Sequence, residues 1–209
     1  MLDLNFGRAI SFSYRNEHLD PALEPTLGRN SLTTTEAQSI REHFITNGIL
    51  CLHGHYPLNR FRDVFNEPPA ITFVRDPIER LVSEYWFQVQ SDDIKHTPEG
   101  LKAYRGEYSF EDYLRKMTES NVYAFYGLEN DFDYFSFIGV TERFTESIQA
   151  LKNKSAWLDT PKLDSHNTAK NAKPKLDPDL RSELESRIQT DVDIYREANK
   201  RLDHALRTS

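Results

Sequence analysis

The sequence predicts an α/β chain built in three layers around a mainly parallel sheet. Three observations carry that prediction. Short apolar runs with β-like patterning alternate with longer runs whose apolar residues recur at helical spacing. Two of the short runs end in polar corners, His53-Gly54-His55 and Arg75-Asp76-Pro77, the second leading straight into a helical pattern. The C-terminal stretch carries one long apolar stripe at helical spacing. Strands separated by helices pair in parallel, and ligands of such sheets sit at the strands' carboxyl ends.

The elements follow in order. Ala9-Ile10-Ser11-Phe12-Ser13-Tyr14 alternates at period two and predicts a strand. Thr33 and Glu36 have the spacing of a capping box, and Ala37, Ile40 and Phe44 mark a helical face that stops near Gly48. Ile49-Leu50-Cys51-Leu52 reads as a buried strand feeding the histidine loop, and Ala70-Ile71-Thr72-Phe73-Val74 as a second. Asp76 suits an N-cap and Pro77 the first helical position, with Ile78, Leu81, Val82 and Tyr85 on one face. Residues 91–108 are polar and predict a loop, after which Ser109 with Asp112 opens another helix. Tyr134 to Val140 is a third apolar run, followed by a helix from about Thr141 to Leu151. Residues 153–176 form a polar loop with Lys154, Lys162, Lys170, Lys173 and Lys175. Asp177-Pro178 then opens a long helix to about residue 206, striped by Leu180, Leu184, Ile188, Val192, Tyr195 and Leu202. No internal repeat or long linker interrupts the pattern, so residues 1–209 are expected to form one domain.

Composition narrows the classes. At 38% apolar residues there is material for a packed core. A single cysteine, Cys51, precludes an intrachain disulfide framework and a cysteine-only metal cluster. No run reaches the ~20 apolar residues that span a bilayer, and the first residues lack a basic-then-apolar leader pattern. A soluble, cytoplasmic protein is the expectation. Lysine and arginine total 26 against 33 acidic residues, a net charge of −7, which disfavours nucleic acid as a partner. A small anionic ligand needs only a few local cations and stays compatible with that balance.

Two constellations carry chemistry. In Thr72-Phe73-Val74-Arg75-Asp76-Pro77-Ile78-Glu79-Arg80-Leu81-Val82-Ser83, a strand delivers Arg75 to a corner and a helix carries Ser83 on its second turn. A guanidinium fork and a hydroxyl near a helix start can share a phosphate. Equally open from spacing alone, Arg75 and Asp76 pair to fix the corner and Ser83 is a surface residue. In His53-Gly54-His55, glycine permits a sharp turn and an imidazole suits proton transfer near neutral pH. For an isolated histidine, a capping or core role is the commoner outcome. Two histidines at i, i+2 with no further ligand pattern make a zinc site the weaker reading. The aromatic group Tyr123, Phe125, Tyr126, Phe132, Tyr134, Phe135 and Phe137 reads better as core than as a stacking platform, and Arg60 and Arg62 as solvated surface.

Taken together, the stretch from Leu52 to Phe87, with its His53-Gly54-His55 and Arg75-to-Ser83 segments, closely resembles the sulfotransferases that modify carbohydrate, nearest to the heparan sulfate and uronyl 2-O-sulfotransferase group. Ile138-Gly139-Val140-Thr141-Glu142 and the loop His166-Asn167-Thr168-Ala169-Lys170 also look like that family, in the family's order. The resemblance runs from about residue 30 onward. It implies a fold related to the P-loop kinases and transfer of a sulfuryl group from 3′-phosphoadenosine-5′-phosphosulfate (PAPS) to a hydroxyl of a carbohydrate or similar acceptor, with no metal. By that similarity Arg75 and Ser83 hold the donor's 3′-phosphate. His55 is the general base, His53 its neighbour, and Lys170, with Lys173 nearby, closes over the nucleotide. The alternative is a non-catalytic nucleotide- or glycan-binding relative.

One departure stands beside these matches. The family has a Pro-Lys-Thr-x-x-Thr-Ser turn after its first strand, whereas the first lysine here is Lys95 and Met1 to Ile10 read as the helix that follows such a turn. The fold is therefore expected to be incomplete at its N-terminus. A shortened start is the favoured explanation; a natural remnant and a turn supplied by another chain are the others. A sheet lacking its central strand exposes pairing edges, so homo-oligomerisation is a further expectation.

Overall fold

The computed structural model describes residues 10–13, 23, 32–54, 59–62, 64–66, 69–90, 97–119, 122–154 and 176–208. Among them the elements run β1 (Ile10–Ser13), α1 (Thr34–Asn47), β2 (Cys51–Gly54), α2 (Asn59–Arg62), β3 (Ala70–Val74), α3 (Pro77–Gln90), α4 (Pro98–Tyr104) and α5 (Phe110–Met117). They continue with α6 (Val122–Phe125), α7 (Leu128–Asp131), β4 (Phe135–Val140), α8 (Phe144–Lys154), α9 (Pro178–Arg187) and α10 (Gln189–Arg207). The result is a helix-rich α/β chain. β1 and β2 pair in parallel, with Ile10 opposite Cys51 and Phe12 opposite His53. β3 and β4 are neighbours in a second two-stranded sheet, so the described strands form two small sheets in place of the single sheet expected. No helix among the described residues is long and apolar enough to cross a membrane.

The chain divides into two compact units. One comprises Met1–Ile71, Phe125–Phe137 and Leu151–Lys162; the other Thr72–Ala124, Ile138–Ala150 and Leu163–Ser209.

In the first unit α1 forms where its caps dictate. The Thr33 hydroxyl accepts the Glu36 N–H at 3.3 Å while the Glu36 carboxylate accepts the Thr33 N–H at 2.8 Å, the reciprocal box expected. At the other end Gly48 takes φ 63°, which a residue with Cβ resists. The Gly48 N–H bonds back to Ile45 and the Ile49 N–H to Phe44. That second bond corrects the predicted strand. Ile49 is spent on closing α1 and Leu50 is 76% exposed, so β2 starts at Cys51 and takes His53 and Gly54 into the strand. Ile40 and Phe44 pack with Leu23, Phe61 and Val64. Arg62, expected on solvated surface, bonds Asp131 of α7 at 2.6 Å and lies over the Tyr134 ring at 4.8 Å.

The second unit is built around α3. Ile78, Leu81 and Val82 pack with Tyr113 and Leu114 of α5, Leu180 and Leu184 of α9, and Ile188 and Val192. Two sequence expectations change here. Residues 91–108, read as loop, contain α4, started by Thr97 accepting the Gly100 N–H at 3.0 Å with Pro98 in the first turn. Its Gly100 and Ala103 are buried, a spacing over one turn too short to show as periodicity. The long C-terminal helix is two helices. Ile188 leaves the helical region at φ −121°, ψ 42°, yet it is 1% exposed and keeps its place in the apolar stripe. No Gly or Pro marks the break, and the i, i+4 spacing runs across it unchanged.

Candidate functional site

The corner after β3 is fixed by one carboxylate. Val74, the last residue of β3, is 1% exposed, and the buried Pro77 opens α3. Between them Asp76 Oδ1 accepts the N–H groups of Ile78 and Glu79, both at 3.0 Å. Its Oδ2 bonds Arg181 of α9. Arg181 also approaches Glu79 at 3.7 Å and Glu185 at 2.8 Å, so three carboxylates share its guanidinium.

Arg75 stands one residue earlier and is held differently. Its backbone is clasped by the Tyr123 hydroxyl, which accepts the Arg75 N–H at 2.8 Å and lies 2.5 Å from the Arg75 carbonyl, to which it donates. Its guanidinium lies with Nε 3.7 Å from Glu142 Oε1 and is 33% exposed. Glu142 follows β4 and is itself oriented: Oε1 accepts the Asp76 N–H at 3.1 Å and Oε2 accepts the Tyr195 hydroxyl at 3.3 Å. β4 is fastened beside it by the buried Ser147, whose hydroxyl accepts the Val140 N–H at 2.9 Å and donates to the Val140 carbonyl. The pairing of Arg75 with Asp76 considered from the sequence is thus not made. Each goes to a partner distant in the chain.

Three arginines line this corner. Arg181 is committed to its three carboxylates, and Arg80 bonds Glu84 one turn along α3 at 3.0 Å. Among the described residues, the guanidinium of Arg75 has an ionic neighbour in Glu142 alone, at a distance too long for a hydrogen bond. It is the loosest-held cation of the three. Ser83 is half-buried on α3, seven residues beyond the Asp76 cap and in the same unit. Arg80 Nε, Trp86 Nε1 and Tyr113 Oη are buried without a hydrogen-bond partner among the described residues. Burial, reinforced by Glu84 and Glu99 and opposed by Arg80, pushes the Tyr113 hydroxyl far up.

The other sequence candidates fall elsewhere. His53 is exposed, in β2 of the first unit. His55 and Lys170 lie outside the described residues. Cys51 is half-buried, and burial pushes its thiol up, away from thiolate reactivity. No group of three or more His, Cys, Asp or Glu among the described residues is placed to hold a metal ion.

Sequence reasoning missed four residues of the corner: Tyr123, Glu142, Arg181 and Asp191. Asp191 is fully buried and accepts the N–H groups of Val122 at 2.7 Å and Tyr123 at 2.9 Å. It had a signal, being an acidic residue on the stripe between Ile188 and Tyr195. Arg181, 105 residues from Asp76, had none.

The model of the sulfotransferase family matches residues 57–200, a span that includes the β3 corner, α3, Glu142 and α9. That is more than half of the chain, and the chain belongs to this family. Its class is therefore that of the sulfotransferases, enzymes that transfer a sulfuryl group. No curated protein and no solved structure matches the chain.

Proposed function

We propose that this chain moves a sulfuryl group from PAPS to a hydroxyl of a carbohydrate or similar acceptor. The observation that carries the reading is the state of Arg75: a guanidinium at a strand end, one-third exposed, on a clasped backbone, with a single long ionic contact among the described residues. A dianionic phosphate oxygen pair suits such a group better than one carboxylate oxygen at 3.7 Å does. The donor set therefore fits a nucleotide phosphate.

Arg75 and Ser83 hold the 3′-phosphate of PAPS, Arg75 by its fork and Ser83 by its hydroxyl. Lys170 adds a cation over the nucleotide. Bound there, PAPS would supply the sulfuryl group, its S–O bond to the 5′-phosphate breaking as the acceptor oxygen bonds sulfur and adenosine 3′,5′-bisphosphate leaving. His55 takes the acceptor's hydroxyl proton on its imidazole, and His53 orients the acceptor or that imidazole. Positioned cations and a base of suitable pKa are the means by which such sites lower barriers.

The test is a pair of titrations and an assay. Wild-type chain is titrated with adenosine 3′,5′-bisphosphate (PAP) and with adenosine 5′-monophosphate (AMP). Transfer from labelled PAPS to desulfated heparan is then followed. PAP is expected to bind more tightly than AMP, Arg75→Ala to erase that preference, and His55→Ala to abolish transfer while PAP still binds. Equal affinity for the two nucleotides overturns the Arg75 assignment. Tight PAP binding with no transfer to any hydroxyl acceptor selects a nucleotide-binding function without catalysis.

A further inference from the structure

We infer that Tyr123 is a positioning residue for Arg75, its hydroxyl setting where the guanidinium stands and thereby the preference for a nucleotide bearing a 3′-phosphate. This rests on the reading of Arg75 given above. A side chain leaving a strand end inherits the freedom of its backbone, and Arg75 has no helix or strand ladder of its own to hold it. The Tyr123 hydroxyl supplies the missing restraint by bonding both polar groups of the same residue, accepting from the Arg75 N–H at 2.8 Å and donating to its carbonyl at 2.5 Å.

The clasp is itself anchored. Tyr123 is 7% exposed, and its own N–H, with that of Val122, is fixed by the fully buried Asp191 carboxylate of α10. A chain of contacts therefore runs from α10 through α6 to the Arg75 backbone. Glu142 adds to the frame, bonded to the Asp76 N–H and to the Tyr195 hydroxyl. Burial, helped by Asp191 and Glu142 and opposed by the bond to the Arg75 backbone and by Arg80, pushes the Tyr123 hydroxyl up to about 12. It therefore keeps the proton it donates across the whole working range of pH.

The 209-residue chain carrying Tyr123→Phe tests this. The substitution removes one oxygen and keeps the ring in place. PAP affinity is expected to fall about 3- to 10-fold, the range for losing a hydrogen-bonded hydroxyl, while AMP affinity stays at the wild-type value. In an Arg75→Ala background the same substitution is expected to cost PAP binding nothing more. Wild-type PAP affinity in Tyr123→Phe overturns the inference. So does an equal loss for PAP and AMP, which marks a merely structural role, and so does a loss that persists without Arg75. If Tyr123→Phe does not give a cooperative thermal melt, Asp191→Asn, which loosens Tyr123 without touching its hydroxyl, is read by the same PAP-to-AMP ratio and the same outcomes. If Arg75→Ala leaves that ratio unchanged, it is the proposed function that fails; if Arg75→Ala changes it and Tyr123→Phe does not, only the positioning role fails.

Discussion

Asp76 shows how much one side chain can settle. Its two oxygens do separate work, Oδ1 capping α3 and Oδ2 meeting Arg181, so the two roles can be separated by substitution. Asp76→Asn keeps a capping oxygen and loses the charge. It is expected to cost about 1 kcal/mol, in line with a partly exposed ion pair. Asp76→Ala loses both and is expected to cost about 2–3 kcal/mol, read from urea denaturation midpoints. Gly139 is a residue of another kind. A Cβ there would lie 2.3 Å from the Phe73 ring, so Gly139→Ala must displace that ring, at about 1–3 kcal/mol. Trimming the ring with Phe73→Leu in the same chain is expected to recover part of the loss, which a double-mutant cycle measures. Tyr113 offers the opposite sign. Its hydroxyl is buried with no partner among the described residues, so Tyr113→Phe is expected not to lower the melting temperature. A drop would reveal a bond made by that oxygen.

Between elements, the contact most open to test joins α5 to α9. Arg115 donates to Glu183 from Nε and Nη2 at 3.1–3.2 Å, and Arg187 approaches the same carboxylate at 2.9 Å. The hydrogen bond from Arg115 holds the Glu183 carboxyl below its ordinary value; burial opposes it, and the charges of Arg115 and Arg187 add to the lowering. A carboxylate whose pKa is depressed by folding stabilises the fold above its unfolded pKa. That stabilisation is lost as pH falls through the folded value. The pair therefore contributes at neutral pH and fades below the ordinary glutamate range. Glu183→Gln is expected to flatten the acid limb of the stability–pH curve and to leave the neutral limb nearly parallel to wild type. Because the pair is only half-buried, added salt is expected to shrink the difference at neutral pH.

At the scale of the whole molecule, a chain with net charge −7 is asked to bind an anion. Long-range repulsion works against that, so affinity must come from short-range donors such as the Arg75 fork. PAP binding is consequently expected to weaken only modestly between low and physiological salt, far less than for a protein with a basic face. A steep salt dependence would point to lysines away from the corner as the main contacts. Among the described residues each unit holds an apolar cluster, one around Phe44 and the other around Leu184.

Where a helix opens on a cap and continues into an apolar stripe, the residues announce it. Thr33 with Glu36, Asp76 with Pro77, Ser109 with Asp112, and Asp177 with Pro178 each begin a helix where the cap chemistry places it, because a cap joins groups two or three residues apart. β3 likewise runs over the apolar stretch read from the sequence. The family likeness was legible for a similar reason: the Arg75-to-Ser83 run is contiguous. What no window of sequence contains is the set of partners at the corner. Tyr123 reads as one more core aromatic, and its ring is indeed buried, but its hydroxyl bonds a backbone 48 residues away. Arg75 turns to Glu142 and Asp76 to Arg181, and the break at Ile188 hides under an unbroken apolar spacing. Sequence thus determined where the capped helices begin, where β3 runs and which cation is offered. Tertiary structure alone decided how firmly that cation is held and what competes for it, because those are distances between groups that only folding brings within reach.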